Sequence, residues 1–281
     1  MTTWKHYHLA QSPEDALEAL SNAAGSARII AGGTDLLLEL QQGLKPPVDT
    51  LVDVSAVSEM TDLRIREGQI YLGAAVPLRK IVNSPIIIEH AQALQEAASL
   101  IGGPQVRNTA TLGGNVAHAL PAGDGTISLL SLDARAVIAS KSGSRMTTLE
   151  SLFLGPGKSA LDPCRELLVG FYLPLKESNQ GSAFRRVMRP QGVAIAILNV
   201  AVSVRRRARY IEDIRVAVGP AGPTPLHARA VEQALRGVIF DDINYETIFT
   251  ALLSEARFRT SPHRATAEYR HRLFIRCWKI P

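Results

Sequence analysis

The chain has 281 residues, 46% apolar and 20% charged, with a net charge of +5. At about 100–200 residues per domain this length suggests two domains sharing a sizeable core, and the ordinary composition excludes disordered and fibrous classes. The two cysteines, Cys164 and Cys277, lack CxxC spacing, so no disulfide framework and no zinc or iron–sulfur site is read here.

From the N-terminus, no basic-then-apolar signal segment and no apolar run of about 20 residues is present, which predicts a cytoplasmic protein without a membrane span. Ser12-Pro13-Glu14-Asp15 opens a helix, with serine as N-cap, proline in the first turn and acids at the positive end of the dipole. Residues 28–31 form a short strand ending on Gly32-Gly33, Thr34-Asp35 cap a helix over Leu36–Leu40, and residues 51–54 supply a strand for a parallel pair. Leu63/Ile65 and Ile70/Leu72 flank a hairpin turn at Glu67-Gly68-Gln69.

Helices are expected at 78–82 and 85–100, then a glycine-rich loop over 101–124 that is too apolar for disorder. A helix follows at 124–132, strands at 135–139 and 166–173, and a polar linker at 176–181. Strands at about 182–188, 193–204 and 210–219 then precede helices at about 227–236, 244–255 and 262–277, the last capped by Ser261 with Pro262 after it. Arg205, Arg206, Arg207 and Arg209 are the tightest basic cluster, and read as a solvated hairpin turn. No aromatic residue interleaves to stack bases, so nucleic acid is not expected.

Two glycine pairs carry the chemistry. In Ala31-Gly32-Gly33-Thr34-Asp35-Leu36 the glycines sit between a strand and a helix start, where backbone N–H groups and the helix dipole favour phosphate, and Thr34 adds a hydroxyl. The pattern is neither GxGxxG nor a P-loop. The second, Thr111-Leu112-Gly113-Gly114-Asn115, continues to Asp124, which can accept from a ribose hydroxyl. A diphosphate-bridged dinucleotide would use one such loop from each side.

These motifs, with Gln105-Val106-Arg107-Asn108 before the second and Arg264-Ala265-Thr266-Ala267-Glu268-Tyr269-Arg270 near the C-terminus, resemble the FAD-binding medium subunit of molybdenum hydroxylases, the xanthine dehydrogenase and carbon monoxide dehydrogenase family. The resemblance implies an α+β fold: a vanillyl-alcohol-oxidase (PCMH)-type FAD-binding domain over 1–176, with α/β subdomains at about 1–56 and 57–176, then a smaller α+β domain over 177–281. It implies that Ile29, Ile30, Ala31, Gly32, Gly33, Thr34, Asp35 and Leu36 wrap the FAD pyrophosphate, with Thr111, Gly113, Gly114 and Asn115 opposite. Asp124 would take ribityl or ribose hydroxyls, Ile101 and Leu168 would pack against the cofactor, and Arg185 would lie near the flavin. Two departures stand out: Leu120 replaces a frequent serine, and His118 a frequent asparagine. His118 reads as a loop histidine bonded to backbone, with proton donation as the alternative.

The same resemblance implies an oxidoreductase subunit that passes electrons from [2Fe–2S] clusters of a small partner through FAD to an acceptor such as NAD. The molybdenum cofactor would lie on a large partner, the assembly being a heterotrimer or a dimer of heterotrimers, and the best match a xanthine dehydrogenase-like purine hydroxylase. No side chain is expected to act as acid, base or nucleophile, because the flavin supplies the chemistry. The rival reading is a stand-alone flavin-dependent reductase or oxidase of the same fold, which would need its own acid–base residues.

Overall fold

The computed structural model describes residues 3–189, 195–261 and 264–278, the last four as backbone only. The fold is α+β. Strands β1 (His6–Leu9), β2 (Ala27–Ile30) and β3 (Thr50–Asp53) form a parallel sheet in the order β1-β3-β2, with helices α1 (Pro13–Asn22) and α2 (Leu36–Gln41) in the connections. Ser12 caps α1 as expected, its hydroxyl accepting from the Asp15 N–H at 3.1 Å, and the helix buries Ala16, Leu17 and Leu20. Strand β1 escapes the sequence because His6-Tyr7-His8-Leu9 has no buried alternation. It is an exposed edge strand, anchored where the Tyr7 hydroxyl donates to the Asp53 carboxylate, which pushes the phenol up to about 12.

A second, antiparallel sheet runs β4 (Leu63–Arg66), β5 (Gln69–Gly73), β10 (Glu166–Pro174), β6 (Arg135–Ser140), β7 (Gly143–Thr148). Glu67 and Gly68 turn the first hairpin with φ of 50° and 73°, the left-handed pair that a two-residue hairpin requires. Strand β7 was not predicted, since Met146 is its only large apolar residue and it lies at the sheet edge. The short strands β8 (Phe153–Gly155) and β9 (Lys158–Ser159) pair with each other.

Between β5 and β6 lie α3 (Leu78–Val82), α4 (Pro85–His90), α5 (Gln92–Leu100), α6 (Pro104–Thr109), α7 (Leu112–Ala117) and α8 (Asp124–Ser131). The helix expected over 85–100 is therefore two. Ala91 leaves helical geometry at φ −139° and ψ 52°, and the Ala93 N–H is bonded by the Ser182 hydroxyl at 3.1 Å, so a tertiary cap starts a new helix where propensity would continue the old one. The expected loop over 101–124 holds α6 and α7, each too short to show apolar periodicity.

The C-terminal sheet, β11 (Gln180–Val187), β12 (Leu198–Arg207), β13 (Tyr210–Gly219) and β14 (Leu226–His227), is antiparallel. β11 takes in the last residues of the expected linker, and residues 193–194 of the expected central strand lie outside those described. Because strand side chains alternate, Phe184, Ala201 and Ala217 join the core around the fully buried α8. Val200, Val216 and Val218 join a second core under α9 (Arg229–Leu235), α10 (Tyr245–Glu255) and α11 (Ala267–Trp278). Helix α11 begins later than predicted. Thr266, not Ser261, supplies the hydroxyl that accepts from the Tyr269 N–H at 3.1 Å, while Ser261 makes an isolated bridge to Ala265; Pro262 lies outside the described residues. Among the described residues no helix is long and apolar enough to cross a membrane.

Candidate cofactor site

The two glycine loops, far apart in sequence, lie one on the other. A Cβ on Gly32 would fall 2.1 Å from the Thr109 carbonyl oxygen, so glycine at this position lets the first loop rest directly on the chain entering the second. Gly33 has φ +66°, which turns the chain from β2 toward α2. The N–H groups of Gly32, Gly33, Thr34 and Asp35 donate to no acceptor among the described residues. Ile30 and Leu36 back the loop through a small apolar cluster with Leu40, Val48 and Leu51, and Ile29 and Ala31 pack on the main core. The result is a fixed run of free donors at the end of a parallel strand, suited to an anion.

The second loop is held differently. Gly113 donates to the Ala74 carbonyl at 2.9 Å, and its own Cβ would lie 2.5 Å from that of Ala74. The Thr111 hydroxyl caps α7 by accepting from the Gly114 N–H at 3.1 Å, and Asn115 N–H returns to the Thr111 carbonyl. Gly113 is therefore glycine for packing. Gly114 is exposed, and only the Thr111 hydroxyl would approach its missing Cβ, so its open side is left for a ligand. The side-chain oxygen of Asn115 is buried without a partner among the described residues and faces Gly123 and Gly125 at the start of α8.

Cross-ties fix the loops. His118, at the end of α7, stands 3.6 Å from the Asp35 carboxylate and 3.3 Å from that of Glu39 on α2, so it faces carboxylates of the first loop rather than the expected backbone. Arg107 donates to the Gly102 carbonyl at 2.7 Å and to that of Ile101 at 3.3 Å, holding the turn that carries half-buried Ile101.

The remaining predicted residues are less uniform. The Asp124 carboxylate is met by Arg186, with both side chains 6% exposed, and by the Asn199 amide at 2.6 Å. Burial pushes the Asp124 carboxyl upward more than Arg186 and Asn199 pull it down. Asp124 thus joins the start of α8 to β11 and β12 before it offers anything to a hydroxyl. Arg185 points the other way, to the Glu96 carboxylate at 3.3 Å and its neighbour's carbonyl, and Leu168 is a core residue beside a bulge in β10. Sequence reading singled out Arg185 but passed over Arg186, Asn199 and Glu96. Strand alternation could have separated the two arginines, but their partners come from distant segments.

Comparison with known proteins places the chain in a family. The model of the FAD binding domain in molybdopterin dehydrogenase matches residues 2–176, and that of the CO dehydrogenase flavoprotein C-terminal domain matches residues 182–278. The chain belongs to this FAD-binding family. Similar members include the xanthine dehydrogenase FAD-binding subunit of Escherichia coli O157:H7, 30% identical over 96% of this chain and 92% of that one. The nicotinate dehydrogenase FAD-subunit of Eubacterium barkeri is 33% identical over 74% of this chain and 71% of its own. The solved carbon monoxide dehydrogenase of Hydrogenophaga pseudoflava superposes with a TM-score of 0.90 at 27% identity, covering 97% of this chain and 93% of that one. The chain is accordingly an oxidoreductase flavoprotein subunit of the molybdenum hydroxylase family, and the donors of the first loop and the open side of Gly114 fit its dinucleotide.

Proposed function

We propose that this subunit holds FAD between the two glycine loops and is the electron exit of a xanthine dehydrogenase-like purine hydroxylase. Electrons would come from [2Fe–2S] clusters on a small partner, substrate would be hydroxylated at a molybdenum cofactor on a large partner, and NAD would be the acceptor. The assembly is read as a cytoplasmic heterotrimer or a dimer of heterotrimers. When bound, FAD supplies the exchange between one-electron donors and a two-electron acceptor. The protein's part is placement: Ile29 to Leu36 offer N–H groups and the Thr34 hydroxyl to the pyrophosphate, and Thr111, Gly113, Gly114 and Asn115 close the other side. Asp124, Ile101 and Leu168 would stand toward the ribityl chain and the flavin, and Arg185 would join them on leaving Glu96.

The observation that carries this reading is the run of unpaired N–H groups from Gly32 to Asp35, laid against the second loop at Thr109. The purine assignment is supported by the similarity to the xanthine dehydrogenase subunit over almost the whole chain, and NAD is the acceptor proposed with it. The test is co-expression with the neighbouring partner subunits, anaerobic mixing with a panel of purines and other heterocycles, and then addition of NAD. Bleaching of the flavin band by a purine and its recovery with NAD supports the reading. Bleaching only by a non-purine, or no recovery with NAD, overturns those parts of it.

A further inference from the structure

The chain's positive charge is concentrated at one end. Residues 257–281 carry seven of the 31 Lys and Arg but one of the 26 Asp and Glu, a net of +6, so the rest of the chain, with 24 against 25, nets −1. The arginine-rich hairpin between β12 and β13 is largely paired, with Arg206 over the Phe240 ring. Arg205 and Arg207 meet Glu212, Arg205 also meets Glu177, and Arg209 meets Asp241.

The arginines around the start of α11 are built otherwise. Arg270 is 2% exposed and donates to the carbonyls of Ile197, at 3.1 Å, and Arg259. Arg189 donates to the Arg264 carbonyl at 3.5 Å, which brings the end of the β11 segment to the same place. Among the described residues no carboxylate pairs with Arg189, Arg259, Arg264 or Arg270, and Glu268 is engaged by Arg272. Residues 190–194, 262–263 and 275–281 contain no Asp or Glu side chain that could supply one. Burial and the mutual repulsion of Arg259, Arg264 and Arg270 hold the last two below the ordinary arginine range.

A desolvated guanidinium whose neighbours are all cations is costly unless an anion joins it. Carbonyl acceptors satisfy hydrogen bonds but leave the charge. Arginines brought together by these bonds, with no carboxylate beside them, match a compact multivalent anion better than a flat acidic surface, because guanidinium forks suit phosphate oxygens.

We propose that Arg189, Arg259, Arg264 and Arg270 form a binding site for a phosphate-class anion, either free phosphate or a phosphate group of a nucleotide. The site is built from residues of the C-terminal domain and does not depend on the assignment of the glycine loops to FAD.

The test is a thermal-unfolding titration of the full FAD-loaded chain with inorganic phosphate, pyrophosphate, ADP and NAD, each against sodium chloride at matched ionic strength. The site predicts a saturable rise in midpoint of at least about 2 °C with pyrophosphate. It also predicts at least a tenfold loss of apparent affinity in the Arg259→Gln/Arg264→Gln double variant, with flavin content unchanged. Arg270 is left intact because its hydrogen bonds brace α11. Tighter binding of ADP or NAD than of pyrophosphate would assign the anion to a nucleotide, and the reverse to the free ion. No rise beyond the chloride control, or an equal rise in the double variant, overturns the proposal. So does a double variant that shows no anion effect but loses a salt-sensitive association with a partner subunit, which would give the arginines to an acidic protein face.

Discussion

Replacing Arg186 by methionine should damage the fold, because it strands Asp124. Both side chains are 6% exposed, and the third member of the group, Asn199, is fully buried. Removing one partner of a buried pair costs about 3–5 kcal/mol, since the remaining charge loses its counter-ion but stays desolvated. Asn199 limits this loss with its bond of 2.6 Å to the carboxylate, and uptake of a proton by Asp124 limits it further, because burial already favours the neutral acid. Arg186→Met alone is therefore expected at about 3 kcal/mol, the lower end of that range. Adding Asp124→Asn should restore part of the loss, giving a coupling of at least about 1 kcal/mol between the two sites. Denaturant unfolding followed by circular dichroism, on wild type, both single variants and the double variant, measures the cycle. A single-variant cost below about 1 kcal/mol, or strict additivity, would refute the view that the pair locks α8 to the C-terminal sheet.

Other changes probe the loops and the second core. Gly32→Ala puts a methyl group 2.1 Å from the Thr109 carbonyl oxygen, so the loops must part; the variant should purify with much less flavin, measured as the ratio of flavin to protein absorbance. Gly33→Ala meets no such wall of backbone but must hold φ +66°, and should lose about 1–2 kcal/mol of stability in the same unfolding assay. His118→Ala removes the ties to Asp35 and Glu39. Together these partly exposed contacts are worth at most about 1 kcal/mol, so FAD release measured by fluorescence recovery should quicken by up to about fivefold. Glu232→Ala takes the acceptor from the Val216 N–H at 2.8 Å and from His227 at 2.6 Å inside the second core, and should lower stability by about 2–4 kcal/mol without changing flavin content.

The parts of the fold legible from sequence were those with local signals. The N-cap at Ser12, the left-handed hairpin at Glu67-Gly68 and the strand–helix–strand unit around Gly32-Gly33 each depend on residues within one or two turns. The edge strands β1 and β7 were not legible because an exposed edge needs no apolar alternation, and the break at Ala91 was not because its cap, Ser182, comes from a distant strand. The site shows the same division. Glycine pairs and their polar companions mark the loops, but sequence cannot tell that Gly113 is required by Ala74 while Gly114 is open, nor that Asp124 is already held by Arg186 and Asn199. The net charge of +5 is visible in the composition, yet the structure shows that the conspicuous arginine hairpin is largely neutralised while the arginines near α11 are not.

The central claim, that one FAD is held between the Gly32-Gly33 and Gly113-Gly114 loops, is tested most directly by titrating the flavin-stripped chain with FAD and following the quenching of flavin fluorescence, for wild type and Gly32→Ala in parallel. The account predicts uptake of one FAD per wild-type chain, and strongly weakened uptake by a Gly32→Ala chain that circular dichroism shows to be folded. Equal affinity in the two folded proteins, or no uptake by wild type, would contradict it.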